Sequence, residues 1–192
     1  MEQIQLNTLK ESVKKGRVAN TYLLVGKADS DVLGVGFDLI KDIIKSPFAA
    51  KEIHEQQASL EKLKTLTNPD VHYFYPVNTT DEVKTKANSK DFINHWRELV
   101  SNGTKITLVD WYNKIGLGNK QAAINKDEAE EISRIASLKS YEGGVKIFLI
   151  WMAEKMNLSA SNKLLKLFEE PPKNTVFILI CAVSYTHLTL ST

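Results

Sequence analysis

Few residues in this chain have a type and spacing suited to chemistry. The single cysteine, Cys181, excludes an internal disulfide and a cysteine-based zinc cluster, and it points to an intracellular protein. His54 has no neighbours of metal-ligand type and reads as a surface helix residue. Glu154 reads as a solvated or capping carboxylate rather than a general base. Gly34-Val35-Gly36 offers the flexibility of a phosphate loop, but no Lys-Ser/Thr follows it, and an ordinary helix accounts for it better. Trp96, Trp111 and Tyr112 are interleaved with Arg97 and Lys114, a composition that can stack nucleic-acid bases. Their helical spacing favours a core or interface instead. Asn162, Lys163 and Lys166 are candidates for contact with DNA or a neighbouring subunit. The competing reading is a solvated helix face on which Lys166 pairs with Glu170.

The 192 residues fit one domain or slightly more, with 43% hydrophobic and 25% charged residues, the balance of a globular chain. Net charge is only +2, so composition alone does not announce a nucleic-acid partner. The N-terminus lacks the apolar core of a signal peptide, and the longest apolar runs, 176–183 and 147–153, are too short to span a bilayer. No membrane association is expected, and the location expected is cytoplasmic.

Helix and strand signals alternate along the chain, without repeats or low-complexity segments. Ile4, Leu6, Leu9 and Val13 mark a first helix ended by Gly16. Residues 21–25 suit a buried strand closed by Gly26, and Ser30 is placed to cap a helix carrying Leu33, Phe37, Ile40 and Ile44, with Pro47 ending it. A helix over 50–66, a turn at Asn68-Pro69-Asp70 and a strand over 71–75 follow. The polar stretch 78–90 reads as a mobile loop. Helices are predicted over 92–100 and 108–115, broken by Gly116 and Gly118. Asn125 and Glu128 have the spacing of a capping box for a helix reaching about Leu138. Strands over 145–151 and 175–183 flank a helix over 159–168, which Pro171-Pro172 stops. Leu164, Leu165, Leu167 and Phe168 are assigned to the core. Because the last two strands are apolar on both faces, helices must cover both sides. The expected fold is therefore α/β, a three-layer parallel sheet.

Residues 146–179 read KIFLIWMAEKMNLSASNKLLKLFEEPPKNTVFIL. This resembles the centre of the AAA+ clamp-loader family of P-loop NTPase-like proteins, and most closely its bacterial delta-prime subunits. In that family a strand bearing an acidic pair leads into a helix reading roughly A-x-N-x-L-L-K-x-L-E-E-P-P. Ala160, Asn162, Leu164, Leu165, Lys166, Glu169, Glu170, Pro171 and Pro172 keep the pattern, with Phe168 where members usually have Leu. The opening strand through Gly26, the Asn68-Pro69-Asp70 turn and residues 124–146 are similar in order. The resemblance spans about 1–183, with 28–64 and 78–120 poorly matched.

Against that family the nucleotide site is degenerate. An active P-loop, G-x-x-x-x-G-K-[ST], cradles phosphates on backbone N–H groups, neutralises them with Lys and holds Mg²⁺ through its hydroxyl. Here Gly26 survives, but Asp31 stands for the second Gly, Val32 for the Lys and Leu33 for the Ser/Thr. Asp29 and Asp31 would also set negative charge against a triphosphate. The acidic pair falls at Trp151 and Met152, which neither hold a hard cation nor take a proton. The resemblance therefore implies a subunit without ATPase activity, catalytic residues, metal or cofactor. The four-cysteine zinc module of many members is absent from 51–68.

Such a subunit would work in the DNA polymerase III holoenzyme beside gamma/tau ATPases and a delta subunit, placing the sliding clamp on primed DNA. Delta-prime subunits donate an arginine from a Ser-Arg-Cys motif to a neighbour's ATP site. Here the segment 184–192 departs from the family and no arginine follows Arg134. The expectation is a core domain over 1–183 and an atypical tail, without lid and collar domains. The alternatives are an ATP-binding gamma/tau-type subunit, or a degenerate AAA+ scaffold of another assembly.

Overall fold

The computed structural model describes residues 3–27 and 30–183. Eleven regular elements follow in order among them: α1 (Gln3–Lys14), β1 (Thr21–Lys27), α2 (Val32–Lys45), α3 (Ile53–Lys64), β2 (Val71–Phe74), α4 (Ile93–Ser101), α5 (Leu108–Lys114), α6 (Lys126–Ser137), β3 (Lys146–Trp151), α7 (Leu158–Glu169) and β4 (Thr175–Val183). All strand pairs are parallel and the order is β1-β4-β3-β2. This is the expected three-layer α/β architecture.

Alternation along β3 shows why the sheet is covered twice. Ile147, Leu149 and Trp151 enter one apolar cluster with α2, α3 and the α4–α5 region. Phe148 and Ile150 enter a second, built with α6 and α7. Every β3 residue is buried, as a central parallel strand requires. A strand with period two must offer an apolar side chain at every position when both faces are dry.

β1 departs from the expected buried strand. Tyr22 and Leu24 face the first cluster, but on the other face of the strand Leu23 is 61% and Val25 42% exposed. Gly26 lies inside the strand rather than closing it. α1 ends as expected, with Gly16 at φ +73. The cap of α2 is Asp31, not Ser30; the Ser30 hydroxyl instead donates to the Lys27 carbonyl at 2.7 Å.

The stretch 78–88 carries no helix or strand, yet it is tied down at many points. Val77 and Ala123 form an antiparallel bridge, the Asn78 amide donates to the Gln121 carbonyl at 2.8 Å, and Thr80 and Ala87 are buried. These bonds hold a polar segment whose composition suggests mobility. Trp96 and Trp111 are fully buried, which excludes base stacking on them. Asn125 caps α6, accepting from the Glu128 N–H at 3.0 Å. The Glu128 carboxylate does not return the bond as a capping box would. It is buried and accepts from the Ser89 N–H at 2.8 Å.

Candidate functional site

The C-terminal ends of parallel strands, where α/β proteins hold ligands, bring together the β1–α2 turn and the end of β3. The turn is tight: a Cβ on Gly26 would meet Ser30 Oγ at 2.5 Å and Val32 Cβ at 2.9 Å. Glycine is required there because the chain folds back onto the strand tip. Asp29 belongs to this turn in the sequence and lies outside the described residues.

The N-terminus of α2 is the place where a phosphate would meet unsatisfied backbone N–H groups and the positive end of the helix dipole. Asp31 is already there. Its Oδ1 accepts from the Gly34 N–H at 3.0 Å. A carboxylate in that position satisfies a donor the phosphate would need and repels the phosphate charge. Val32 and Leu33 point the other way, 8% and 1% exposed within the first cluster. Gly34-Val35-Gly36 is helical, and a Cβ on Gly36 would come within 2.7 Å of Ile180 Cδ1. Gly36 is thus small for helix–sheet packing and not for an anion.

At the end of β3, Trp151 is buried in an aromatic cluster. Its ring centroid lies 5.3 Å from that of Trp96, which stacks on Tyr75 at 4.5 Å and meets Trp111 edge-on at 5.6 Å. The Trp111 indole N–H donates to the Pro76 carbonyl at 2.8 Å. Met152 is buried with φ +54, a left-handed residue that turns the chain into the Ala153–Lys155 3₁₀ turn. Glu154 is exposed and its Oε2 accepts from the Ala182 N–H at 3.4 Å. Burial first, and then the Glu154 charge, push the Cys181 thiol up, away from the reactive thiolate.

The residues of the helix motif divide by face. Ala160 and Leu164 are fully buried, and Phe168 meets Phe177 edge-on at 5.1 Å. Leu165, assigned to the core from sequence, is 57% exposed. It lies on the outer side of α7 with Leu158, 77% exposed, and with the exposed Asn162 and Glu169. Lys166 and Glu170 are exposed but form no ion pair; Lys163 does, reaching Glu130 on α6 at 3.0 Å. Pro171 and Pro172 follow the helix end, and Thr21 Oγ1 donates to the Phe168 carbonyl at 2.7 Å, tying α7 to β1.

Among the described residues no cluster of three or more His, Cys, Asp or Glu side chains is placed to hold a metal ion. His54 is exposed on α3. No helix among them is long and apolar enough to cross a membrane. The tail 184–192 and any arginine donor beyond Val183 lie outside the described residues. Sequence reasoning missed the capping role of Asp31 and the burial of Glu128. The Asp-x-x-Gly spacing before an apolar helix is a signal for the first; nothing local signals the second.

Two comparisons with known proteins returned matches. The family described as DNA polymerase III, delta subunit, matches residues 1–189. A solved structure of a DNA polymerase III gamma subunit-related protein from Thermotoga maritima is 18% identical, with a TM-score of 0.47 over 93% of this chain. This chain spans 39% of that protein. No curated protein matches it. The match over nearly the whole sequence places the chain: it belongs to the DNA polymerase III, delta subunit family, and so to the clamp-loader family that its α7 motif resembles.

Proposed function

We propose that this chain is a non-hydrolysing, delta-prime-type subunit of a replicative clamp loader, acting in the cytoplasm to help load the sliding clamp onto primed DNA. The observation that carries the proposal is the Asp31 carboxylate bonded to Gly34 at the head of α2. An anion built into the helix N-terminus competes with the phosphate that an ATPase must hold there. Trp151 and Met152 add that the metal-binding and water-activating positions are apolar and buried. Neither side of the site retains a charge of the sign ATP chemistry needs.

A subunit of this kind acts through its surfaces. The outer side of α7, with Leu158, Asn162 and Leu165, is the surface assigned to contact with a neighbouring gamma/tau or delta subunit. Exposed leucines seven residues apart share one helix face, a pattern that gains from being covered. No residue of this chain is assigned the role of the arginine donated to a neighbour's ATP.

Two measurements test the proposal. A fluorescent ATP analogue titrated with Mg²⁺ should show no saturable binding, while the chain should co-purify with gamma/tau and delta and support clamp loading. Tight, Mg²⁺-dependent binding would establish the gamma/tau-type alternative. Failure to associate with gamma/tau would leave a degenerate scaffold of another assembly.

A further inference from the structure

An edge strand of a parallel sheet turns the backbone groups of alternate residues away from its neighbour. β2 is such an edge. Ile147 stands opposite Val71 and donates to the Asp70 carbonyl at 2.8 Å, so Asp70, His72 and Phe74 bond towards β3. Val71, Tyr73 and Tyr75 then face outwards. The chain itself answers the first and last of these. The Val71 N–H donates to the Asn68 carbonyl at 3.2 Å. Tyr75 N–H donates to Ser89 Oγ at 3.2 Å, and that hydroxyl donates to the Tyr75 carbonyl at 3.2 Å. Among the described residues the Tyr73 N–H and C=O have no partner on this outer side.

A cavity of about 280 Å³ lies against this strand, with walls from Asn68, Asn88, Ile93, Arg97, Glu128 and Ile135. Tyr73 and Asn88 both line it, and Tyr73 Oη and Asn88 Oδ1 are buried without a hydrogen-bond partner. Tyr73 is only 7% exposed. The Arg97 guanidinium is engaged elsewhere, donating to the Leu66 carbonyl at 3.1 Å and 3.3 Å. Buried polar groups without partners are uncommon in folded proteins, and several around one cavity mark a place built for a complementary molecule.

We propose that this cavity binds a small, planar molecule of nucleobase size that presents an amide edge, a donor and an acceptor side by side. The outward N–H and C=O of one strand residue match such an edge with two parallel hydrogen bonds. The Tyr73 hydroxyl and the Asn88 amide add bonds at the periphery, and Ile93 and Ile135 cover the ring faces. Because Asn68 and Ser89 already occupy the outward bonds of Val71 and Tyr75, only one residue of this edge is left for a guest, too few for a peptide strand to pair with. Charged side chains of both signs, Lys90, Arg97 and Glu131, also stand on its walls beside Glu128. This site is separate from the degenerate nucleotide site, and it does not depend on the function proposed above.

The test is titration of the ¹⁵N-labelled full chain with uracil, with 1,3-dimethyluracil, and with benzamide, following backbone amide shifts. Uracil should shift the Tyr73 amide saturably, and dimethyluracil, which keeps the ring but loses its N–H donors, should bind about tenfold more weakly. Benzamide, which also presents a donor and an acceptor side by side, should shift the Tyr73 amide saturably too, and its failure to do so would count against binding through the amide edge. Tyr73→Phe should weaken uracil several-fold with the rest of the spectrum unchanged, and Asn88→Ala provides a second variant should Tyr73→Phe fail to fold. Equal binding of uracil and dimethyluracil, or no shift at Tyr73 with millimolar uracil, would overturn the proposal and leave a cavity that holds solvent alone.

Discussion

The Asp31 carboxylate and the Gly34 N–H form a 3.0 Å hydrogen bond at the point where a P-loop protein would hold phosphate. The bond serves the helix. Asp31→Ala removes an N-cap and should lower stability by about 1 kcal/mol, or roughly 2–4 °C in melting temperature for a chain of this size. It should not create ATP binding, because Val32 remains in place of a cation. Thermal unfolding and an ATP-analogue titration on the same variant check both halves.

Placing the polar residues of a nucleotide site at these buried positions should cost stability. Leu33→Thr places a hydroxyl where a leucine is 1% exposed, with an expected loss of about 2–4 kcal/mol from the cavity and the buried polar group. Trp151→Asp should be worse, since it buries a charge inside the cluster of Trp96, Trp111 and Tyr75, and a loss above about 4 kcal/mol is expected. Denaturant unfolding measures each. A Trp151→Asp variant as stable as the parent would refute this account of the β3 end.

The buried Glu128 and the half-buried His72 give opposite responses to acid. Burial raises Glu128 to about 7, so its ionisation penalises the folded state above that pH, and the penalty fades as pH falls from about 7 towards the ordinary 4.5. Burial lowers His72 to about 4, so its contribution is complete above about 6.5 and is lost as pH falls from there towards 4. The two largely offset each other between about pH 6.5 and 4.5. Glu128→Gln should therefore expose a steady loss of stability on acidification, and His72→Gln a gain. Chemical denaturation of the three proteins across this range distinguishes them; parallel curves would show that these groups do not govern the response.

The outer side of α7 should matter for assembly and not for folding. Leu165→Asp changes a side chain that is 57% exposed, so stability should stay within about 0.5 kcal/mol of the parent. Association with gamma/tau or delta should weaken at least about tenfold if that leucine becomes buried in the contact. Calorimetric melting and a binding titration report the two effects independently.

How much was legible beforehand follows the range of the interactions. Continuous apolar runs at 147–151 and 176–183 announced central parallel strands, because a strand covered on both faces offers its middle positions apolar surroundings on either side. Gly16, Pro47 and the Pro171-Pro172 pair marked helix ends through local backbone constraints. β1 misled because its apolar residues look the same whether or not a helix covers them. Leu165 misled for a related reason: α7 carries more leucines than its buried face has room for, and only the placement of α6 and β4 selects Leu164.

By itself, then, the sequence determined the alternation of helices and strands and the apolar character of Val32, Leu33, Trp151 and Met152, since these are matters of residue type and local order. Tertiary structure alone decided that Glu128 is buried against Ser89, 39 positions away in sequence, and that Trp151 joins an aromatic cluster drawn from α4, α5 and the end of β2. It also decided that Tyr73 lies on an open sheet edge beside a cavity. Desolvation and pairing depend on which distant segments pack together, and no short stretch of residues carries that information.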